Sequence, residues 1–221
     1  MCNELGAYYQ IEGTRGSGVA KALIGNSSKD DVLVRDDYRG YASLEVKHQS
    51  CWSHLLRKAR DYVSFEDPVK GMAELETELK EIFRDLNEFI ESDPTDQIRQ
   101  IEYNKYICRL DSIIKRKYKK DSYADKIRNR IATQHENLLT AVLIKGVPLT
   151  NNLAERDLRP IVINRKLSGG SRSQLGAEIT AVNKSIVQTL NKRGIELIKG
   201  LEMLINGQSL TEITIMNAES T

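Results

Sequence analysis

The chain has 221 residues, of which 40% are hydrophobic and 29% are charged, and these proportions are typical of a folded globular protein. Its formal net charge is +2, it has no apolar run of membrane-spanning length, and its first residues lack the pattern of a secretion signal. These features argue against a membrane protein or a secreted one, and they predict a cytoplasmic protein whose three cysteines are reduced.

The small net charge hides an uneven distribution along the chain. Residues 66–96 contain eleven acidic and three basic residues, residues 113–130 contain eight basic and two acidic, and residues 156–172 contain five basic and one acidic. The two basic stretches could attract phosphate, whereas the acidic stretch would repel DNA. Basic stretches are also common on solvated helices, so both interpretations stay open.

The first fifty residues favour an α/β arrangement. Residues 8–11 (YYQI) predict a short strand, and the glycine-rich residues 14–18 predict a turn before a helix. Residues 31–38 (DVLVRDDY) predict a second strand, and residues 45–52 (EVKHQSCW) a weaker third. Asp36 would lie at the carboxyl end of a strand, where catalytic groups collect in open α/β sheets, although an exposed turn aspartate is the alternative.

Helical periodicity dominates from Met72 onward. Apolar residues recur at steps of three and four in residues 72–89, 98–114 and 127–142, which predicts three helices that form a packing block. Gly146 and Pro148 predict the end of this block. Residues 177–205 predict a further helical pair, broken at Gly194, which serves as core scaffolding.

The segment NNLAERDLRP, residues 151–160, predicts the start of a polar helix. Asn151 and Asn152 are good N-cap residues, and Glu155 lies one turn before Arg159, so a plain helical ion pair would explain these side chains. Pro160 is expected to cut or kink the helix. The turn LSGGSRS at 167–173 could instead lie on a phosphate backbone.

The segments VRDDYRGYASL, CWSHLLRKAR, NNLAERDLRPIVINRK and GGS, in this order, resemble the C-terminal part of the insertion sequence 66 family of transposases. The resemblance spans roughly residues 8–205. It implies an α/β, ribonuclease H-like catalytic core of the DDE type, incomplete at its N-terminus, with a large all-helical insertion and a helical C-terminus. We predict a partial core at 1–64, the insertion at 65–147, the rest of the core at 148–207 and a tail at 208–221.

The resemblance also implies the site. Asp36, which Tyr38 and Tyr41 follow at the family's spacing, and Glu155 match two of three catalytic carboxylates that bind a pair of Mg²⁺ or Mn²⁺ ions. Such ions prefer carboxylate oxygens, and a metal pair stabilises the attacking and leaving oxygens of phosphoryl transfer between DNA strands. The residues matched to DNA contacts are Asn151, Asn152, Arg156, Arg159, Arg165 and Lys166.

Cys51 and His54 match the family's Cys-Trp-x-His step. This pair could form half of a zinc site, but the second pair of ligands is missing. We therefore expect a buried cysteine and a capping or packing histidine, and no zinc.

One departure from the family concerns its first aspartate, which would precede residue 8. The acids in that region are Glu4 and Glu12, and neither has the expected setting. The expectation is a truncated transposase, or one half of a split frame, that is inactive alone and self-associates through an unpaired strand edge. The alternatives are a non-catalytic DNA-binding remnant and a helical interaction protein whose acidic stretch docks a basic partner.

Overall fold

The structure is a computed structural model, and it describes residues 1–14, 16–25, 27–65 and 71–209. Predictions about Arg15, about residues 66–70 of the acidic stretch and about residues 210–221 of the tail lie outside the described residues. The elements are α1 (Ser17–Ile24), β1 (Val32–Arg35), a 3₁₀ turn (Arg39–Tyr41), β2 (Lys47–Ser50), α2 (Trp52–Phe65), α3 (Met72–Glu91), α4 (Asp96–Ile114), α5 (Tyr123–Gln134), α6 (Thr140–Leu143), α7 (Asn152–Ser168), α8 (Gln174–Lys192) and α9 (Leu197–Ile205).

The chain divides into two compact units. One, the central unit, is Ala20–Asn151, and the other, the terminal unit, combines Met1–Val19 with Asn152–Thr221. The four-part division expected from the sequence stays a prediction. No helix of the described segments is both long and apolar enough to cross a bilayer.

The sheet of the central unit has two parallel strands. β1 pairs with β2 in a register that sets Val32 opposite Lys47 and Arg35 opposite Ser50. β1 lies within the strand predicted at 31–38 and β2 within the weaker one predicted at 45–52, and both predictions are confirmed. Asp36 directly follows β1, so its place at the carboxyl end of a strand is confirmed as well.

Helices α2 to α6 bury the main core. α3 turns its apolar residues toward α2 at helical spacing, and Leu75, Leu79 and Ile82 are fully buried. Removing one such side chain from water stabilises the fold by about 1.5–3 kcal/mol. The helices predicted at 72–89 and 98–114 are confirmed as α3 and α4.

The third predicted helix, at 127–142, is divided into α5 and α6. Two backbone carbonyls between these helices accept hydrogen bonds from other parts of the unit. The carbonyl of Asn137 accepts from the Ser50 N–H at 2.8 Å, and the carbonyl of Leu138 accepts from the Trp52 indole at 2.8 Å. Apolar periodicity cannot reveal such a break, because the buried residues continue at helical spacing through it.

The predicted strand at residues 8–11 is wrong. In the terminal unit this segment forms no strand: the Tyr8 N–H donates to the Met1 carbonyl at 2.7 Å, and hydroxyls of α8 bond nearby backbone groups. The Ala7 N–H donates to Thr189 Oγ1 at 3.2 Å, and the Tyr9 N–H donates to Ser185 Oγ at 2.9 Å. These contacts satisfy the backbone groups that a neighbouring strand would otherwise bond.

The terminal unit differs from two further expectations. α7 continues through Pro160, so this residue does not cut the helix, and the predicted kink stays a prediction. α8 and α9 form the predicted pair around Gly194, whose φ of 65° suits glycine. Their apolar residues are not all core scaffolding, since Ile179 is 52% and Val182 56% exposed.

Candidate functional site

Asp36 occupies the carboxyl end of β1 and is half-buried. Its Oδ1 accepts the Tyr38 N–H at 3.1 Å, which closes a short turn after the strand. No described residue is hydrogen-bonded to its Oδ2. This carboxylate therefore has a fixed orientation and one oxygen left for a ligand.

Arg35, the last residue of β1, is a buried cation behind Asp36. Its Nη1 donates to the Asp36 carbonyl at 3.0 Å, its Nε donates to His48 Nδ1 at 3.0 Å, and its Nη2 reaches Gln134 Oε1 at 3.4 Å. Burial lowers the pKa of the guanidinium, and the charges of Asp37 and Asp36 oppose that shift. The sequence pattern did not single out Arg35, because a basic residue ending a strand looks like an exposed one.

The bonds of His48 fix its tautomer. A guanidinium only donates, so Nδ1 must accept from Arg35 and Nε2 must donate to the Leu44 carbonyl, 3.2 Å away. Burial lowers the pKa of His48, the Arg35 charge lowers it further, and the bond to Leu44 opposes both. His48 is thus a neutral support for Arg35.

α5 closes the other side of this strand end. Arg130 forms an ion pair with Asp37, and Gln134 Oε1 accepts from Ser50 Oγ at 2.9 Å. Asp37, the acid beside Asp36, is therefore neutralised within the unit, which leaves Asp36 as the better candidate for a metal ligand.

Cys51 connects the two segments that carry the matched motifs. Its N–H donates to the Arg35 carbonyl at 2.9 Å, and its Sγ accepts the Asn151 N–H at 3.3 Å. Beside it, the Trp52 N–H donates to the Leu149 carbonyl at 3.0 Å. Cys51 is 2% exposed, which confirms the expected buried cysteine. His54 is half-buried, in keeping with a packing role.

Five of the matched residues share one side of α7. At 3.6 residues per turn, Asn152, Glu155, Arg156, Arg159 and Lys166 fall within a stripe about 100° wide, and Arg165 lies off it. Glu155 is half-buried and the others are exposed. The basic residues Arg156, Arg159, Arg165 and Lys166 form no ion pair with any described residue, so their charge is available to a ligand.

Asp157 of the same motif has a structural role that the sequence did not indicate. It is 3% exposed, its Oδ2 lies 2.9 Å from Lys192 Nζ, and its carbonyl accepts the Tyr9 hydroxyl at 2.6 Å. Burial, with the charge of Asp157, raises the pKa of Tyr9 to about 12. The motif thus contains a buried acid, Asp157, which anchors α7, and a half-buried acid, Glu155.

The matched residues are distributed over both units. Asp36 and Asn151 belong to the central unit, and residues 152–166 to the terminal one. That Asp36 and Glu155 share an ion stays a prediction. Both offer the oxygen donors that Mg²⁺ prefers, so they fit such an ion in kind. In number they supply two carboxylates, and among the described residues no group of three or more His, Cys, Asp or Glu is arranged to hold a metal.

The comparison with known families decides the assignment. The model of the Transposase IS66 family matches residues 3–179, which is most of the chain. The chain belongs to this family. The resemblance seen in NNLAER and its companion segments is confirmed.

Similar proteins come from Sinorhizobium fredii (strain NBRC 101917 / NGR234). The uncharacterized protein y4qI is 26% identical over 226 residues, which cover 93% of this chain and 40% of y4qI. The uncharacterized protein y4jO is 28% identical over 96 residues, 42% of this chain and 30% of y4jO. The chain thus spans well under half the length of these relatives. No solved structure is similar to it.

Proposed function

We propose that the chain is part of the catalytic region of a transposase that cuts and joins DNA by divalent-metal-dependent phosphoryl transfer. The observation that carries the proposal is the position of Asp36: the family match covers it, and it follows a parallel strand with one carboxylate oxygen unbonded by described residues. A ribonuclease H-like core, to which β1 and β2 would belong, is part of the same proposal.

Asp36 and Glu155 would hold the Mg²⁺ or Mn²⁺ ions. When bound, such ions stabilise charge on the attacking and leaving oxygens of the phosphodiester. The chain's own residues supply the rest. The Tyr38 N–H orients the Asp36 carboxylate, and Arg35 holds the Asp36 backbone carbonyl. The exposed cations on α7 would hold the DNA backbone beside Glu155.

Asp36 and Glu155 match two of the three family carboxylates, so the chain alone is expected to bind DNA without cutting or joining it. The test incubates the purified chain with plasmid and end-labelled duplex in Mg²⁺ or Mn²⁺. Salt-sensitive binding without new products is the expected result. Products that disappear in Glu155→Gln would contradict the expected inactivity, and absence of DNA binding at low salt would overturn the proposal.

A non-catalytic DNA-binding protein is the second candidate. It is favoured by the exposed basic residues of α7, which need no metal to bind phosphate. DNA affinity that is identical with Mn²⁺ and with a chelator would support it. Self-association also stays part of the proposal, supported by apolar side chains that are exposed on α7 and α8, namely Leu167, Ile179 and Val182.

A further inference from the structure

Two lysines and two tyrosines form a cluster on the central unit, and none of the four is among the residues matched to metal binding or DNA contacts. The rings of Tyr62 on α2 and Tyr123 on α5 stack with centroids 4.4 Å apart. Lys58 Nζ lies 4.8 Å from the Tyr62 ring centroid, and Lys126 Nζ lies 5.0 Å from that of Tyr123. We name these four residues the lysine–tyrosine face. Both lysines are exposed, and neither forms an ion pair within the described segments.

α5 connects this face to the Asp36 end of β1. Its Arg130 pairs with Asp37, and Tyr123 begins the same helix seven residues earlier. At 1.5 Å per residue, the two points are about 10 Å apart along the helix. Both ends of α5 lie in one compact unit, so the face has a defined place beside Asp36.

The segment before α5 adds further positive charge. Its exposed lysines 115, 117 and 119 alternate with Arg116, which bonds Glu78 at 2.5 and 2.8 Å, and Tyr118, which packs against the core. The anchored residues hold the backbone, and the alternation leaves the lysines exposed. None of these three lysines is ion-paired to a described residue.

We infer that the lysine–tyrosine face, together with the segment at 115–120, binds the phosphate backbone of duplex DNA that runs on from the Asp36 end of the sheet. This inference rests on the proposed function, because that function makes DNA the partner. It adds a second contact surface, on a different unit from the cations of α7.

The contacts favour phosphate over bases. Each ring already lies against the other ring and has an ammonium group within about 5 Å, so the tyrosines are poorly placed to stack on nucleobases. Their role is to position the ammonium groups. A lysine held over a ring loses less side-chain freedom on binding, and its charge stays available because the pairing is with a neutral partner.

The test compares two double variants of the chain. Lys58→Gln/Lys126→Gln removes two charges from the lysine–tyrosine face. Lys80→Gln/Lys105→Gln is the matched control: it removes two exposed lysines from the same unit that are already ion-paired, to Glu76 and Glu102. Folding of both is checked by circular dichroism and thermal unfolding. Affinity for a labelled duplex is measured by fluorescence anisotropy over a salt series, with the corresponding single strand as a second ligand.

The face variant is expected to bind duplex roughly tenfold more weakly at low salt, with a slope of log affinity against log salt that is smaller by about two. The control should match the wild type, and Lys58→Arg/Lys126→Arg should restore binding. Unchanged duplex affinity in the face variant would overturn this inference while DNA stays the partner. A loss confined to single strands would overturn the duplex assignment. No DNA binding by the wild type would overturn the proposed function and the inference together.

Discussion

At the scale of single residues, Cys51 has a structural role that the sequence indicated only in part. The Cys-Trp-x-His step pointed to a metal half-site or a packing cysteine, and the structure adds two backbone hydrogen bonds. One holds the end of β1 and the other holds the residue before α7. Nothing in a single sequence indicates that the Asn151 N–H meets the Cys51 thiol, because the two residues are a hundred positions apart.

Replacing Cys51 with alanine should therefore loosen the entry to α7. The Asn151 N–H would lose its acceptor, which costs about 1–3 kcal/mol when the group stays buried. Faster amide hydrogen exchange at Asn151 and a lower urea midpoint are the expected results. Cys51→Ser keeps an acceptor and should exchange more slowly than alanine, and exposed Cys108→Ser is the control. Equal exchange at Asn151 in the alanine variant and the wild type would contradict the bond's role.

His48 gives the fold a dependence on pH. Its folded pKa lies below its ordinary value of 6.5, because of burial and the adjacent Arg35. As the pH falls below 6.5, the unfolded state takes up the proton before the folded state does, so stability is full above that value and decreases toward the lower folded pKa. His48→Gln, whose amide can accept from Arg35 and donate to Leu44, should flatten this loss. Urea unfolding between pH 7.5 and 5.5, values at which most carboxylates stay ionised, tests this. A wild-type profile as flat as that of the variant would refute it.

At the scale of elements, the predictable parts were those whose signals are local. The β-branched run before Asp36 and the three-and-four spacing of α3 and α4 gave correct elements. The strand prediction at residues 8–11 was wrong because a strand needs a neighbouring strand, and this segment is bonded to helix α8 instead. α7 continues through Pro160 although proline has a low helix propensity, because packing and the buried Asp157–Lys192 ion pair stabilise the helix.

The N-terminal segment is held by hydroxyls of α8, so their removal should release it. Thr189 Oγ1 accepts the Ala7 N–H and lies 3.3 Å from the Ala7 carbonyl. Thr189→Val keeps the shape and removes both bonds, which should destabilise docking of the segment by about 1–2 kcal/mol. Limited proteolysis before residue 17 should then be faster. Thr180→Val, which loses only a bond to the Gly176 carbonyl of its own helix, is the control. Unchanged cleavage in Thr189→Val would show that side-chain packing alone holds the segment.

At the scale of the whole molecule, the family could be recognised from short motifs, whereas the division into units could not. The central unit is continuous, but the terminal unit combines both ends of the chain. Such a combination depends on contacts between residues nearly 190 positions apart, such as Lys192 Nζ with the Asn3 carbonyl at 2.8 Å. Periodicity and motif spacing carry no information on these contacts.

The central proposal is that Asp36 and Glu155 are both ligands of divalent metal. Mn²⁺ affinity, followed by electron paramagnetic resonance of the free ion, tests it most directly. Asp36→Asn and Glu155→Gln should each weaken Mn²⁺ binding by about tenfold or more, because each removes a carboxylate oxygen of the kind that such ions prefer. Asp37→Asn and Glu178→Gln serve as controls and should leave the affinity unchanged. Unchanged affinity in either variant, or equal losses in the controls, would contradict the proposal.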